Sequence, residues 1–237
     1  MEPVTGLSRR ALVILGAAVS LGVVASTVAT FVSARGQPGC PDIDYGCARF
    51  ERSEAVLIGV LSSRRDVRRA VGLVARLRGN RFEGRPLRVL AWNDRCTPEG
   101  GAEGARQLAT DSPDEPPVVA VVGETCARAI TPAAQILSDS GVTLASVSAP
   151  ELPPTAGRPR YYLGLGPVPT APLQAFEAAY AQRYGPPSAQ ATRAAFAADA
   201  IVAASESLAR PGADGALLVP RTPLRDALLG AGFVRIS

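Results

Sequence analysis

Short apolar runs alternate with helical patterns through the middle of this 237-residue chain, and that alternation restricts the possible folds more than any other feature. The runs span 55–61, 87–92, 118–122, 142–146 and 161–165. They are rich in Val and Leu, and most do not alternate with polar residues. Such runs read as strands buried on both faces of a parallel sheet. Between them lie stripes at helical spacing: Val67, Ala70, Val71, Val74 and Leu77; Ala102, Ala105, Leu108 and Ala109; Ile130, Ala133, Ala134 and Leu137. The order β-α-β-α-β-α-β predicts an open, parallel α/β sheet with right-handed crossovers and helices on its faces. After residue 165 a Gly/Pro cluster at 166–172 breaks the pattern. Helices are predicted beyond it near 173–184, 194–208 and 223–229.

Composition removes several classes of function. The chain has no His and no Lys, and all 25 basic residues are Arg. A Ser-His-Asp triad, a Cys-His dyad, an imidazole metal site and a Walker-type phosphate loop are therefore impossible. We expect no enzyme, no metal and no cofactor. A net charge of +4 gives no argument for nucleic acid. Arg64, Arg65, Arg68 and Arg69 fall opposite the Val67/Val71/Val74 stripe, which makes them a solvated helix face rather than an anion patch.

The N-terminus predicts export. Arg9 and Arg10 close a short tail, 1–10, and precede an uncharged apolar run at 11–34. About 24 residues make roughly 36 Å of helix, enough to cross a bilayer with the arginine end in the cytoplasm. The run reads as a retained transmembrane anchor. A cleaved signal is the alternative, because residues 32–34 form a small-x-small site. On either reading the protein is extracytoplasmic: single-pass at the cell membrane, or secreted. A linker at 35–52 then leads into one α/β body at 53–237. Disulfides persist in that compartment, and Cys40 and Cys47 flank a loop short enough for a local bridge.

The other two cysteines follow strands. The runs at 87–92 and 118–122 end four residues before Cys96 and Cys126. If those strands are adjacent and parallel, both cysteines lie past one carboxyl edge, about 4.8 Å apart in strand spacing, which a disulfide spans. The rival reading makes Cys126 a reactive thiol at a helix N-terminus.

Several segments, taken in order, resemble the branched-chain-amino-acid (leucine/isoleucine/valine) family of type 1 periplasmic binding proteins. They are Ile58-Gly59-Val60; Trp92-Asn93-Asp94-Arg95-Cys96-Thr97-Pro98; the "V-V-G" and cysteine at 121–126; Thr131-Pro132-Ala133-Ala134; and the Phe176…Tyr180…Tyr184-Gly185 helix. The resemblance covers most of 55–233. It implies a Rossmann-like lobe, an amino-acid ligand and ABC permease partners. Two departures accompany it. The chain passes from residue 165 almost directly to the late helices, where the family has its whole second lobe. The serine that holds the ligand carboxylate is Ala127 here. Ligand contacts are expected at Ser62, Ser63, Glu124, Thr125, Ala127, Arg128, Ser146, Ser148 and Ala149, at a weakened site. A membrane-tethered module that binds a protein through the same edge is the competing expectation.

Overall fold

The structure is a computed structural model that describes residues 39–110, 116–123, 126–148, 159–167 and 173–236. The expected apolar span at 11–34 lies outside these residues. Among the described residues no helix is long and apolar enough to cross a membrane.

Each of the five apolar runs is a strand. They are β2 (Val56–Leu61), β4 (Arg85–Trp92), β5 (Val118–Gly123), β6 (Thr143–Ser146) and β7 (Tyr162–Leu165). Four of them, β2, β5, β6 and β7, are buried along their whole length, as runs without polar alternation require. These five pair in parallel in the order β7-β6-β5-β2-β4. Short antiparallel strands finish the two edges. β3 (Arg81–Phe82) pairs with β4, and β10 (Phe233–Arg235) pairs with β7. A second, antiparallel sheet orders β1 (Cys47–Phe50), β9 (Leu217–Pro220) and β8 (Arg210–Pro211) as β1-β9-β8.

The helices are α1 (Arg65–Leu77), α2 (Pro98–Ala109), α3 (Ala127–Asp139), α4 (Gln174–Tyr184), α5 (Ala189–Leu208) and α6 (Arg221–Gly230). Handedness divides them between the faces. The chain moves one way from β2 through α1 to β4, then reverses through α2 to β5 and α3 to β6. Right-handed crossovers therefore place α2 and α3 on the face opposite α1. Two buried clusters record this. Leu57, Leu61, Val121, Leu144 and Tyr162 meet α2 and α3. Ile58, Val60, Val122 and Leu163 meet α1, α4, α5 and α6.

Two expectations need correction. β4 and β5 are not adjacent; β2 lies between them. The premise of the Cys96–Cys126 argument was therefore wrong, although the bridge itself is present. The 35–52 span, read as a linker, contains β1, whose Ala48 and Phe50 are buried. The reason is local. The Cys40–Cys47 bridge holds the start of β1, with Cα atoms 5.9 Å apart. Within its loop the Asp42 carboxylate accepts N–H bonds from Asp44 (3.1 Å), Tyr45 (3.2 Å) and Thr222 (2.6 Å). Asp42 thus serves the first turn of α6, whose own N-cap, Pro220, has no side chain to do so. Burial would raise the Asp42 pKa, but the hydrogen bonds from Thr222, Tyr45 and Asp44 outweigh it and hold the carboxyl below its usual range.

Candidate solute-binding edge

In an open α/β sheet, ligands bind beyond the carboxyl ends of the strands, where the strand order reverses. Here that switch point falls between β2 and β5, and the Cys96–Cys126 bridge sits over it. β4 and β5 flank β2, so their ends are two strand spacings apart, about 9.6 Å. The bridged Cα atoms are only 5.5 Å apart. The two loops must therefore lean toward each other across the end of β2.

The sequence after β4 builds that lean. Asn93 Oδ1 accepts from the Arg95 N–H at 3.0 Å, and Asp94 Oδ1 accepts from the Cys96 N–H at 2.9 Å. These side chains hold Arg95 and Cys96 in left-handed conformations, φ +53° and +57°, which cost a non-glycine residue free energy without such support. Thr97 then caps α2 by accepting from the Gly100 N–H at 3.0 Å, with Pro98 just inside the helix. Gly100 and Gly101 let α2 lie close to its surroundings. A Cβ on Gly100 would come within 2.0 Å of the Asp94 carbonyl oxygen, and one on Gly101 within 2.0 Å of the Ala129 carbonyl oxygen in α3.

The expected ligand residues fare unequally. Ser62 continues β2 by donating its N–H to the Trp92 carbonyl at 3.0 Å. Its hydroxyl accepts from the Arg64 N–H at 3.0 Å, and its carbonyl accepts from Arg68. Ser63 is half-buried beside it. Arg68 was read as part of a solvated face; it is half-buried and closes the end of β2. Ala127 and Arg128 open α3 and are exposed, as is Ser148 beyond β6. Ser146 is fully buried and lies on the α2/α3 side with Leu144. It belongs to the core rather than the rim: burial pushes the Tyr162 hydroxyl up to about 12 against the opposing effect of its hydrogen bond to Ser146. Glu124, Thr125 and Ala149 lie outside the described residues.

Sequence reasoning missed Arg193. It projects from α5 to the ends of β6 and β7, donating to the carbonyls of Val147, Leu165 (2.6 Å) and Gly166 (3.3 Å). Among the described residues no carboxylate pairs with it. Burial lowers its pKa from the ordinary arginine value. A guanidinium has five N–H donors, so the three carbonyls leave two for another acceptor. Its sequence signal is slight but real: it is the lone ionisable residue in an alanine-rich stretch at 189–198.

Among the described residues, the carboxyl end of the sheet therefore gathers Ser63, Ser148, the first turn of α3 and Arg128 from one face and Arg193 from the other, a set with positive charge and N–H donors. That chemistry suits a carboxylate. Two cavities among the described residues lie elsewhere and are lined by none of the expected ligand residues.

The mostly parallel sheet with helices on both faces is shared with solved structures of transport proteins. A putative branched-chain amino acid ABC transporter from Rhodospirillum rubrum aligns over 74% of this chain and 89% of its own, at 15% identity and a TM-score of 0.51. That similarity establishes the fold alone. An ABC transporter substrate-binding protein from Desulfitobacterium hafniense aligns more loosely, at a TM-score of 0.40 and 19% identity over 55% of this chain and 40% of its own. An ABC transporter substrate-binding protein from Desulfitobacterium hafniense in complex with Leu aligns at a TM-score of 0.40 and 20% identity over 62% of this chain and 48% of its own. The chain thus spans less than half the length of each Desulfitobacterium structure. No protein-family model matches the sequence, and no curated protein is similar to it.

Proposed function

We propose that this chain is an extracytoplasmic solute-binding-type protein of the branched-chain amino-acid class, with a ligand edge weaker than that of a two-lobed relative. One observation carries the reading: a disulfide joins the loops after β4 and β5 above the switch point, and α3 starts directly after the bridged Cys126. Arg193 and Arg128 supply charge for a carboxylate. Two features weaken the site. Ala127 contributes no hydroxyl, and the described residues of the compact unit at 38–237 provide no second wall. A typical pocket buries 70–90% of its ligand, which one open edge does not achieve. In this role the partners are ABC permease subunits, and the protein catalyses no reaction.

The competing role is a membrane-tethered module that binds a protein through the same edge. The exposed positions of Ala127, Arg128 and Ser148 favour it.

Titration calorimetry of the full chain with leucine and valine separates the two. We expect no saturable heat at micromolar ligand for the natural sequence. Ala127→Ser should strengthen leucine binding by roughly tenfold or more, since a hydrogen bond to a charged group contributes about 1.5–3 kcal/mol. Micromolar binding by the natural sequence would refute the weakened site. An Ala127→Ser variant that leaves leucine affinity unchanged would remove the carboxylate from this edge and favour the protein-binding role.

A further inference from the structure

A cavity of about 540 Å³ lies at the opposite, amino-terminal end of the sheet, within the size range of small-molecule sites. Tyr161, immediately before β7, forms part of its wall with Tyr45 and Thr222. The wall is well ordered by its own contacts. The Tyr45 and Tyr161 rings meet edge to face at 4.9 Å, and the Tyr161 and Thr222 hydroxyls are 2.7 Å apart. Asp42 holds the Tyr45 loop against α6 through the Thr222 N–H.

Three arginines from separate parts of the chain line this cavity: Arg160 in the loop before β7, Arg225 on α6 and Arg235 on β10. Arg225 lies over the Tyr161 ring, 5.0 Å from its centroid, and is paired with Asp226 at 2.7 Å. Arg160 and Arg235 are different. Both are exposed, and neither side chain has a hydrogen bond or ion pair among the described residues. Among the described residues, Asp44 is the one carboxylate that lines the cavity with them. Unpaired cations around a preformed aromatic wall mark a place where a negative group would gain free energy. A carboxylate is satisfied by one bidentate arginine, whereas a phosphate presents oxygens in several directions and suits guanidinium groups approaching from different elements.

We propose that this cavity is a second site, separate from the switch-point edge, that takes a phosphate group. The group could arrive on a soluble compound or as an anionic lipid headgroup; the recognition chemistry is the same.

The test is calorimetry of the full chain in a non-ionic detergent at low salt, with inorganic phosphate in one arm and dihexanoyl phosphatidylglycerol in the other. Arg160→Ala/Arg235→Ala is the diagnostic variant. Both side chains are exposed, so its circular dichroism and melting temperature should match those of the natural sequence. Arg106→Ala, on an exposed face of α2, is the control. Saturable binding in either arm that weakens roughly tenfold or more in the double variant, the loss expected from charge-assisted bonds, and that persists in the control supports the site. Phosphate binding identifies a soluble ligand; binding of the lipid alone identifies a headgroup. No saturable binding in either arm, or binding that the double variant leaves intact, overturns the proposal.

Discussion

Replacing Cys96 and Cys126 together by serine should lower the folding free energy by about 3.6 kcal/mol, the chain-entropy value for a 30-residue loop. In a domain of this size, each kcal/mol moves the melting temperature by roughly 2–4 °C, so the variant should melt about 7–14 °C lower. The Cys40–Cys47 bridge closes a loop of 7 and gives about 2.4 kcal/mol by the same relation. The ordering is therefore as informative as the size. Urea melts of the two double variants beside the natural sequence measure both. If the Cys96–Cys126 variant is as stable as the natural sequence, the loops over β2 hold their places without the bridge, and its role in shaping the edge is minor.

The second large effect is expected at Gly101. Its Cβ would fall 2.0 Å from the Ala129 carbonyl oxygen, 2.7 Å from the carbonyl carbon and 2.8 Å from the Cα. All three are backbone atoms of α3, so no flexible side chain can move aside. Gly101→Val must separate α2 from α3 near the bridge that joins their starts. The cost should reach the upper end of overpacking effects, about 3 kcal/mol or more. Gly72 provides the contrast. In α1 a Cβ there meets no atom closer than Arg76 Nη2 at 3.8 Å, so Gly72→Ala should be neutral or stabilising by up to about 1 kcal/mol. Thermal melts of the two variants decide the matter. A Gly101→Val protein as stable as the Gly72→Ala protein would mean that α2 and α3 do not approach so closely.

The sequence showed the parallel layer clearly because burial on both faces leaves a mark that needs no partner to interpret. The runs at 55–61 and 118–122 are apolar throughout, and both are central strands. Strand order left no such mark. Cysteines following β4 and β5 suggested neighbours, yet β2 separates those strands, and the two loops bend toward each other by nearly a strand spacing to form the bridge. The short antiparallel strands were also hidden. Leu217–Pro220 is four residues long and runs directly into α6, and Cys47–Phe50 gains its place from a partner 170 residues away in the register Cys47↔Pro220 and Phe50↔Leu217. At the candidate site, residue types were legible but orientation was not. Ser146 and Ser148 differ by two positions, yet one is a buried core hydroxyl and the other is exposed at the rim. Arg193 escaped because its targets are backbone carbonyls at strand ends, and these have no side-chain identity in a sequence.

Peptide mapping by mass spectrometry of the full chain, digested without reduction, tests most directly whether the turns after the fourth and fifth strands close over the second. The expected result is one linked pair of fragments carrying Cys96 and Cys126, and a separate pair or single fragment carrying Cys40 and Cys47. Free sulfhydryls at 96 and 126, or either of them crossed to the N-terminal loop, would contradict the edge on which the binding role depends.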